Sequence, residues 1–291
     1  DYYASRGLGD VYKRQIWDGQ YFYDLYEQAY TPWEWHEELF HVAKEEGLIC
    51  FSSPFDKTAV DMLEALDCPV YKIASFEITD IPLIEYAASK HKPMVLATGI
   101  ATEEDIQLAV EACRRMGNND ITVLKCTSSY PAPVEEANLC MIRDLAERFQ
   151  VKSGLSDHTL GSVSPIVAVT QGASMIEKHF ILNRSIGGPD CSFSMEEKDF
   201  AQMVKDVRMA ELSLGKTTYE LTEKMRGSRS ASRSLYVAED MKAGEVITER
   251  NVRSVRPGFG LHPKYLKDIL GKNVNRDLEK GTRFALEYVN G

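Results

Sequence analysis

VKSGLSDHTLGSVSPIVAVTQGASMIEKHF, residues 151–180, is the stretch on which the fold turns. Two short apolar runs, 151–155 and 175–176, read as buried strands, and a helix-length segment at 160–172 lies between them. Strand, helix and strand at this spacing form a crossover connection, which makes the strands parallel neighbours. Parallel neighbours end on the same side of a sheet. His158 and His179 each stand where an apolar run stops, so both imidazoles are expected to open onto one cavity. A shared divalent cation is the natural use of such a pair, with two unrelated core histidines as the alternative.

The same pattern continues outward. Apolar, β-branched-rich runs recur at 48–51, 70–73, 94–97, 121–125, 151–155 and 174–177, and amphipathic helix-length stretches follow them. The stretch 58–66 carries Val60, Leu63 and Leu66 on one face. The stretch 103–116 carries Ile106, Val110 and Cys113, with Thr102 as its N-cap, and 199–214 follows the last strand. Alternating strands and helices predict an α/β protein with a parallel sheet. Each run ends in chemically capable residues: Ser52 and Ser53; Lys72 with Ser75 and Glu77; Thr98; Thr127 to Tyr130; Ser156 to His158; and His179. Polar chemistry at every C-terminal strand end is the arrangement of a βα-barrel. A doubly wound sheet is the competitor, but no Gly-rich phosphate fingerprint follows any strand.

The chain has 291 residues and a formal net charge of −10, which argues against nucleic acid as a partner. No apolar run approaches the roughly 20 residues of a membrane span. An anionic small substrate remains compatible, because Lys72, Lys125, Lys178, Arg184 and Arg256 can build a local positive site. The 6 cysteines show no paired-ligand spacing, which points to free thiols in a reducing, cytoplasmic setting.

A boundary is expected near residue 215. Residues 216–232 are polar and lack a sustained apolar period, as a linker would, and the remainder, 233–291, turns β-like. A weak echo relates DMKAGEVI at Asp240 to DLEKGTRF at Asp277, each read as a turn centred on Gly244 or Gly281 feeding a strand. Within this module RSVRPGFGLHP, beginning at Arg253, is a basic Gly/Pro-shaped loop suited to reaching an anion.

Taken together, YKIASFE, VLATG, LKCTSSYPAP, GLSDHT, GASMIEKHF and GGPDCSFSMEE resemble the sialic acid synthase family in content and order. The tail resembles the antifreeze-like (SAF) domain of that family. Within the family, WDG at Trp17 to Gly19, YTPWEWH at Tyr30 to His36 and RSIGGPDCSFSMEE are similar to the bacterial pseudaminic acid synthases, with N-acetylneuraminate and legionaminate synthases as alternatives. The resemblance implies a TIM (β/α)8-type barrel followed by a small β-rich SAF domain. It implies condensation of phosphoenolpyruvate with an N-acetylated amino sugar, for the subfamily 2,4-diacetamido-2,4,6-trideoxy-L-altrose, giving a nonulosonic acid and phosphate. A divalent metal, manganese with magnesium or cobalt as substitutes, would sit on His158 and His179. Lys72, Ser75, Ser53 and Ser156 match phosphoenolpyruvate contacts, and Glu77, Tyr130 and Asp190 match sugar-side positions. Arg256 matches an arginine that one subunit of a domain-swapped homodimer lends to the other. Two positions depart from some relatives: Ala97 replaces a serine and Ser128 an asparagine, each costing at most one hydrogen bond, roughly 0.5–1.5 kcal/mol.

The front of the chain departs further. The first two βα units of an eight-stranded barrel have no counterpart, and residues 1–15 read as a non-native leader. The expectation is a partial barrel over 16–215 with unpaired parallel edges, low stability and impaired activity. Two other functions fit parts of the pattern: a Schiff-base aldolase using Lys72 or Lys178, and a sugar-acid-binding module built on the tail.

Overall fold

The computed structural model describes residues 30–290 together with Glu27. The expected leader at 1–15 and the WDG motif lie outside the described residues. The chain divides into two compact units, Asp1–Gly215 and Lys216–Gly291.

In the first unit β1 (Tyr71–Ile73), β2 (Met94–Ala97), β3 (Ile121–Cys126), β4 (Lys152–Asp157) and β5 (Ile176–Lys178) form one parallel sheet in sequence order. A doubly wound sheet reverses direction at a switch point, whereas this one advances one neighbour at a time, as a barrel wall does. The result is a curled, five-stranded α/β half-barrel. Helices α1 (His36–Glu45) and α2 (Lys57–Ala65) precede β1, and α3 (Ile81–Ala88), α4 (Glu103–Arg115), α5 (Met141–Phe149), α6 (Val163–Thr170) and α7 (Glu197–Leu214) lie between and after the strands. Their starts are written locally. The Asp56 carboxylate accepts from the Ala59 amide at 2.9 Å, and Thr102 and Asp105 form a reciprocal capping box on α4.

One expected strand is corrected. Run 48–51 forms no strand; Ser52 alone makes a parallel bridge, to Tyr71. Leu48 and Ile49 stay 68% and 75% exposed, so the run lacks the burial that would hold it flat against β1. The last strand is also displaced, from the expected 174–177 to Ile176–Lys178.

Alternation along the strands sorts their side chains onto two faces. Tyr71, Ile73, Met94, Leu96, Ile121 and Val123 share one face and pack with Val60, Leu63, Ile84 and Val110 of the helices. Lys72, Cys126, Ser156 and Glu177 have the opposite parity. The register sets Cys126 beside Ser156 and Ser156 beside Glu177, so these side chains form one row on the barrel-interior face.

The second unit has its own core, with Leu235, Val237, Met241, Ile247, Val252, Ile269 and Phe284 buried together. β6 (Ser234–Val237) pairs antiparallel with β7 (Val252–Val255). The stretch 216–232, expected as an unstructured linker, contains helix α8 (Glu223–Arg229), started by the Thr222 hydroxyl accepting from the Met225 amide at 3.2 Å. The sequence echo has a structural basis. Gly244 and Gly281 both hold positive φ, at 86° and 91°. Asp240 accepts from the Lys280 amide at 2.7 Å and Asp277 from the Ala243 amide at 2.8 Å, so each half caps the turn of the other. The halves meet through an isolated Met241–Leu278 bridge rather than through the expected full strands.

Candidate active site

The C-terminal ends of β1, β3, β4 and β5 and the loops after them bring most candidate residues of the first unit together. Past β4 and β5 the interior row continues to His158 and His179, whose ring centroids are 5.1 Å apart. His158 is buried, and its Nδ1 lies 2.9 Å from the Thr127 carbonyl. A carbonyl can only accept, so Nδ1 carries the proton and Nε2 presents its lone pair. Burial, with a smaller contribution from His179, pushes the His158 pKa below its ordinary value and favours the neutral ligand form. His179 Nδ1 stands 3.2 Å from Asp190 Oδ2, which orients the second ring. Tyr130 and Phe193 complete an aromatic box, at 4.4 Å from His158 and 4.9 Å from His179 respectively. Two imidazoles with backed Nδ1 atoms fit a divalent cation. Among the described residues no cluster of three or more His, Cys, Asp or Glu side chains surrounds such a position, so remaining ligands would be water or substrate oxygens.

One turn of the row away, Glu177 accepts from Ser156 Oγ at 2.6 Å and meets Lys72 Nζ at 3.4 Å through the same oxygen. Glu177 was not among the sequence candidates. The signal for it was available: it stands two residues before His179 and so shares its face. Phe193 was likewise missed, because an apolar residue in a polar loop carries no chemical signature. Ser75 and Ser128 hydroxyls lie 2.9 Å apart. Gly99 passes directly against them, where a Cβ would fall 2.2 Å from Ser128 Oγ and 2.3 Å from Ser75 Cβ; its φ of +30° reinforces the need for glycine. Glu77 has a buried Oε2 without a hydrogen-bond partner, and burial pushes its carboxyl pKa up. Ser53 follows the Ser52 bridge beside β1. Beyond Phe193 lies a cavity of about 440 Å³ lined in part by Ser162, Arg184, Asp199 and Gln202; the imidazoles do not line it.

Several expected cations are elsewhere. Lys178 Nζ is 2.7 Å from Asp157 Oδ2, both side chains are 1% exposed, and their parity places them on the helix face. Lys125 has the same parity, donates to the Cys126 carbonyl at 2.7 Å, and burial lowers its pKa. Arg184 Nε donates to the Ser194 carbonyl at 3.0 Å. Neither Lys125 nor Lys178 can contribute to a positive site on the interior face, and Lys178 is unsuited as a Schiff-base nucleophile. Arg256 belongs to the second unit, immediately after β7, and is exposed there.

The NeuB family model matches residues 4–219, and the SAF domain model matches 232–283. The chain belongs to the NeuB family. Pseudaminic acid synthase from Helicobacter pylori is 50% identical over 275 residues, covering 94% of this chain and 81% of that protein. N,N'-diacetyllegionaminic acid synthase from Legionella pneumophila is 32% identical, covering 92% and 76%. Among solved structures, N-acetylneuraminic acid synthetase from Leptospira borgpetersenii, in complex with citrate, is 30% identical with a TM-score of 0.67, covering 71% of this chain and 72% of that one.

Proposed function

We propose that this NeuB-family chain is a nonulosonic acid synthase that condenses phosphoenolpyruvate with 2,4-diacetamido-2,4,6-trideoxy-L-altrose, consuming one water and releasing phosphate. The observation that carries the reading is the continuous row Lys72–Glu177–Ser156 leading to His158 and His179. It sets an anion-binding end beside an imidazole pair. The subfamily follows the higher identity to pseudaminic acid synthase than to the legionaminic relative.

Lys72, Ser53, Ser75 and Ser156 supply the cation and hydroxyl donors that phosphate and carboxylate require. Glu177 orients Lys72 and Ser156 through one shared oxygen. Glu77, kept protonated more readily by burial, can donate its O–H to a sugar oxygen, and Tyr130 and Asp190 stand on the same sugar side. His158 and His179 would hold a divalent cation, manganese with magnesium or cobalt as substitutes. When bound, it supplies Lewis-acid polarisation of the sugar carbonyl. Tyr130 and Phe193 pack against the imidazoles. Arg256 is assigned to the neighbouring site of a domain-swapped homodimer, where its planar fork suits a carboxylate. The 6 cysteines are free thiols, in keeping with a cytoplasmic enzyme, and no helix among the described residues is long and apolar enough to cross a membrane.

Phosphate release from phosphoenolpyruvate, measured side by side with the two acceptors, tests the assignment. The expected result is turnover with the diacetamido-trideoxy sugar and little with N-acetylmannosamine. The reverse preference moves the chain to the neuraminate branch, and no release with either sugar overturns the reading.

A further inference from the structure

We infer that the buried Asp157–Lys178 ion pair is a positioning strut that holds His158 and His179 at a fixed separation from behind the sheet. The inference rests on the proposed cation site. Each partner is the sequence neighbour of one imidazole, and strand alternation sends the pair to the helix face while the imidazoles go to the interior. The β4–β5 register ends at Asp157 opposite Lys178, so both histidines lie one residue beyond the last rung of a short ladder. Strand pairing alone does not reach them.

The ion pair extends the tie across that gap. Lys178 Nζ donates to Asp157 Oδ2 at 2.7 Å and also to the Thr159 carbonyl. Asp157 Oδ1 accepts from the Thr159 amide at 2.9 Å, and Thr159 Oγ1 donates to Ser164 Oγ at 3.0 Å. The residues on both sides of His158 are thereby bound to the residue before His179. The His158 carbonyl accepts in turn from the Ala132 amide at 3.0 Å. Packing gives little reason for charges here, since a buried ion pair roughly cancels its own desolvation cost and an apolar pair of similar volume often serves stability as well or better. What the ionic network adds is fixed geometry: one ammonium gathers a carboxylate and a carbonyl from the strand end that carries the other imidazole.

The test uses the full chain and the neutral double variant Asp157→Asn/Lys178→Gln. Manganese affinity is read by titration calorimetry and paramagnetic resonance, and folding by circular dichroism and thermal melting. The expected result is a folded protein whose manganese binding is weakened about 10–100-fold, the usual effect of removing outer support from a ligand set. A folded double variant with wild-type affinity overturns the strut, provided that His158→Ala abolishes binding. A wild-type chain that binds no manganese, or a His158→Ala variant that binds it unchanged, overturns the cation site and the strut with it. Asp157→Glu serves if the double variant does not fold. It keeps the charge but displaces the carboxylate by one methylene, and undiminished affinity in it likewise overturns the proposal.

Discussion

The two faces of the sheet carry similar residues in opposite circumstances. On the interior face Lys72 and Glu177 make a 3.4 Å pair with side chains 15% and 29% exposed, open to exchange with a ligand. On the helix face Lys178 and Asp157 make a 2.7 Å pair that is 1% exposed and closed to one. A half-wet ion pair can give up its partner to an incoming anion at little cost, whereas a dry one cannot part without stranding a charge. Ion pairs of like composition are therefore suited to different duties, recognition in front and support behind, and access to water makes the difference.

The most damaging way to break the front face is through the imidazoles. His158→Ala or His179→Ala is expected to drop phosphate release to background while circular dichroism stays native, and retained turnover in chelator would remove the cation from the account. Behind the sheet, Lys178→Met alone leaves Asp157 buried and unpaired, a loss of about 3–5 kcal/mol. That corresponds to a melting temperature lower by roughly 10 °C for a unit of this size, and a melt unchanged within error would show that the pair is not dry in solution. Glu177→Gln weakens the front pair without emptying it. It is expected to raise KM for phosphoenolpyruvate about tenfold, equivalent to one charge-assisted hydrogen bond, with the fold intact. A change in kcat alone would instead place Glu177 at the reacting atoms.

The smallest expected effect is a pH dependence. The Glu77 carboxyl has a folded-state pKa above its ordinary value of 4.5, because burial disfavours the carboxylate. The folded state then holds this proton more tightly than the unfolded one, so its contribution to stability is complete below about pH 4.5 and is lost as pH rises through the folded value. Glu77→Gln should flatten that decline. Melting curves at pH 4 and pH 8 read it, and an identical gap in variant and wild type would mean that Glu77 does not carry the proton.

Much of this was legible along the chain. The crossover at residues 151–180, the C-terminal rim, the Thr102 cap and the turns at Gly244 and Gly281 each rest on local periodicity or on one residue's backbone preference. The run at 48–51 was misread because its apolar residues satisfy a strand pattern while the structure leaves Leu48 and Ile49 exposed. Lys125 and Lys178 were placed in the site because a lysine at a strand end reads the same on either face.

The sequence by itself determined the alternation of strands and helices, the parallel sheet and the placement of His158 and His179 past neighbouring strand ends. These follow from side-chain periods of 2 and 3.6 residues and from the geometry of a crossover. Only the tertiary structure decided that Glu177 links Lys72 to Ser156 and that Lys178 lies behind the sheet against Asp157. Which face a residue joins depends on where each strand ends and on how it registers with its neighbour, and a shift of one residue exchanges the faces. That register is settled between strands, by burial and hydrogen bonds that no single segment contains.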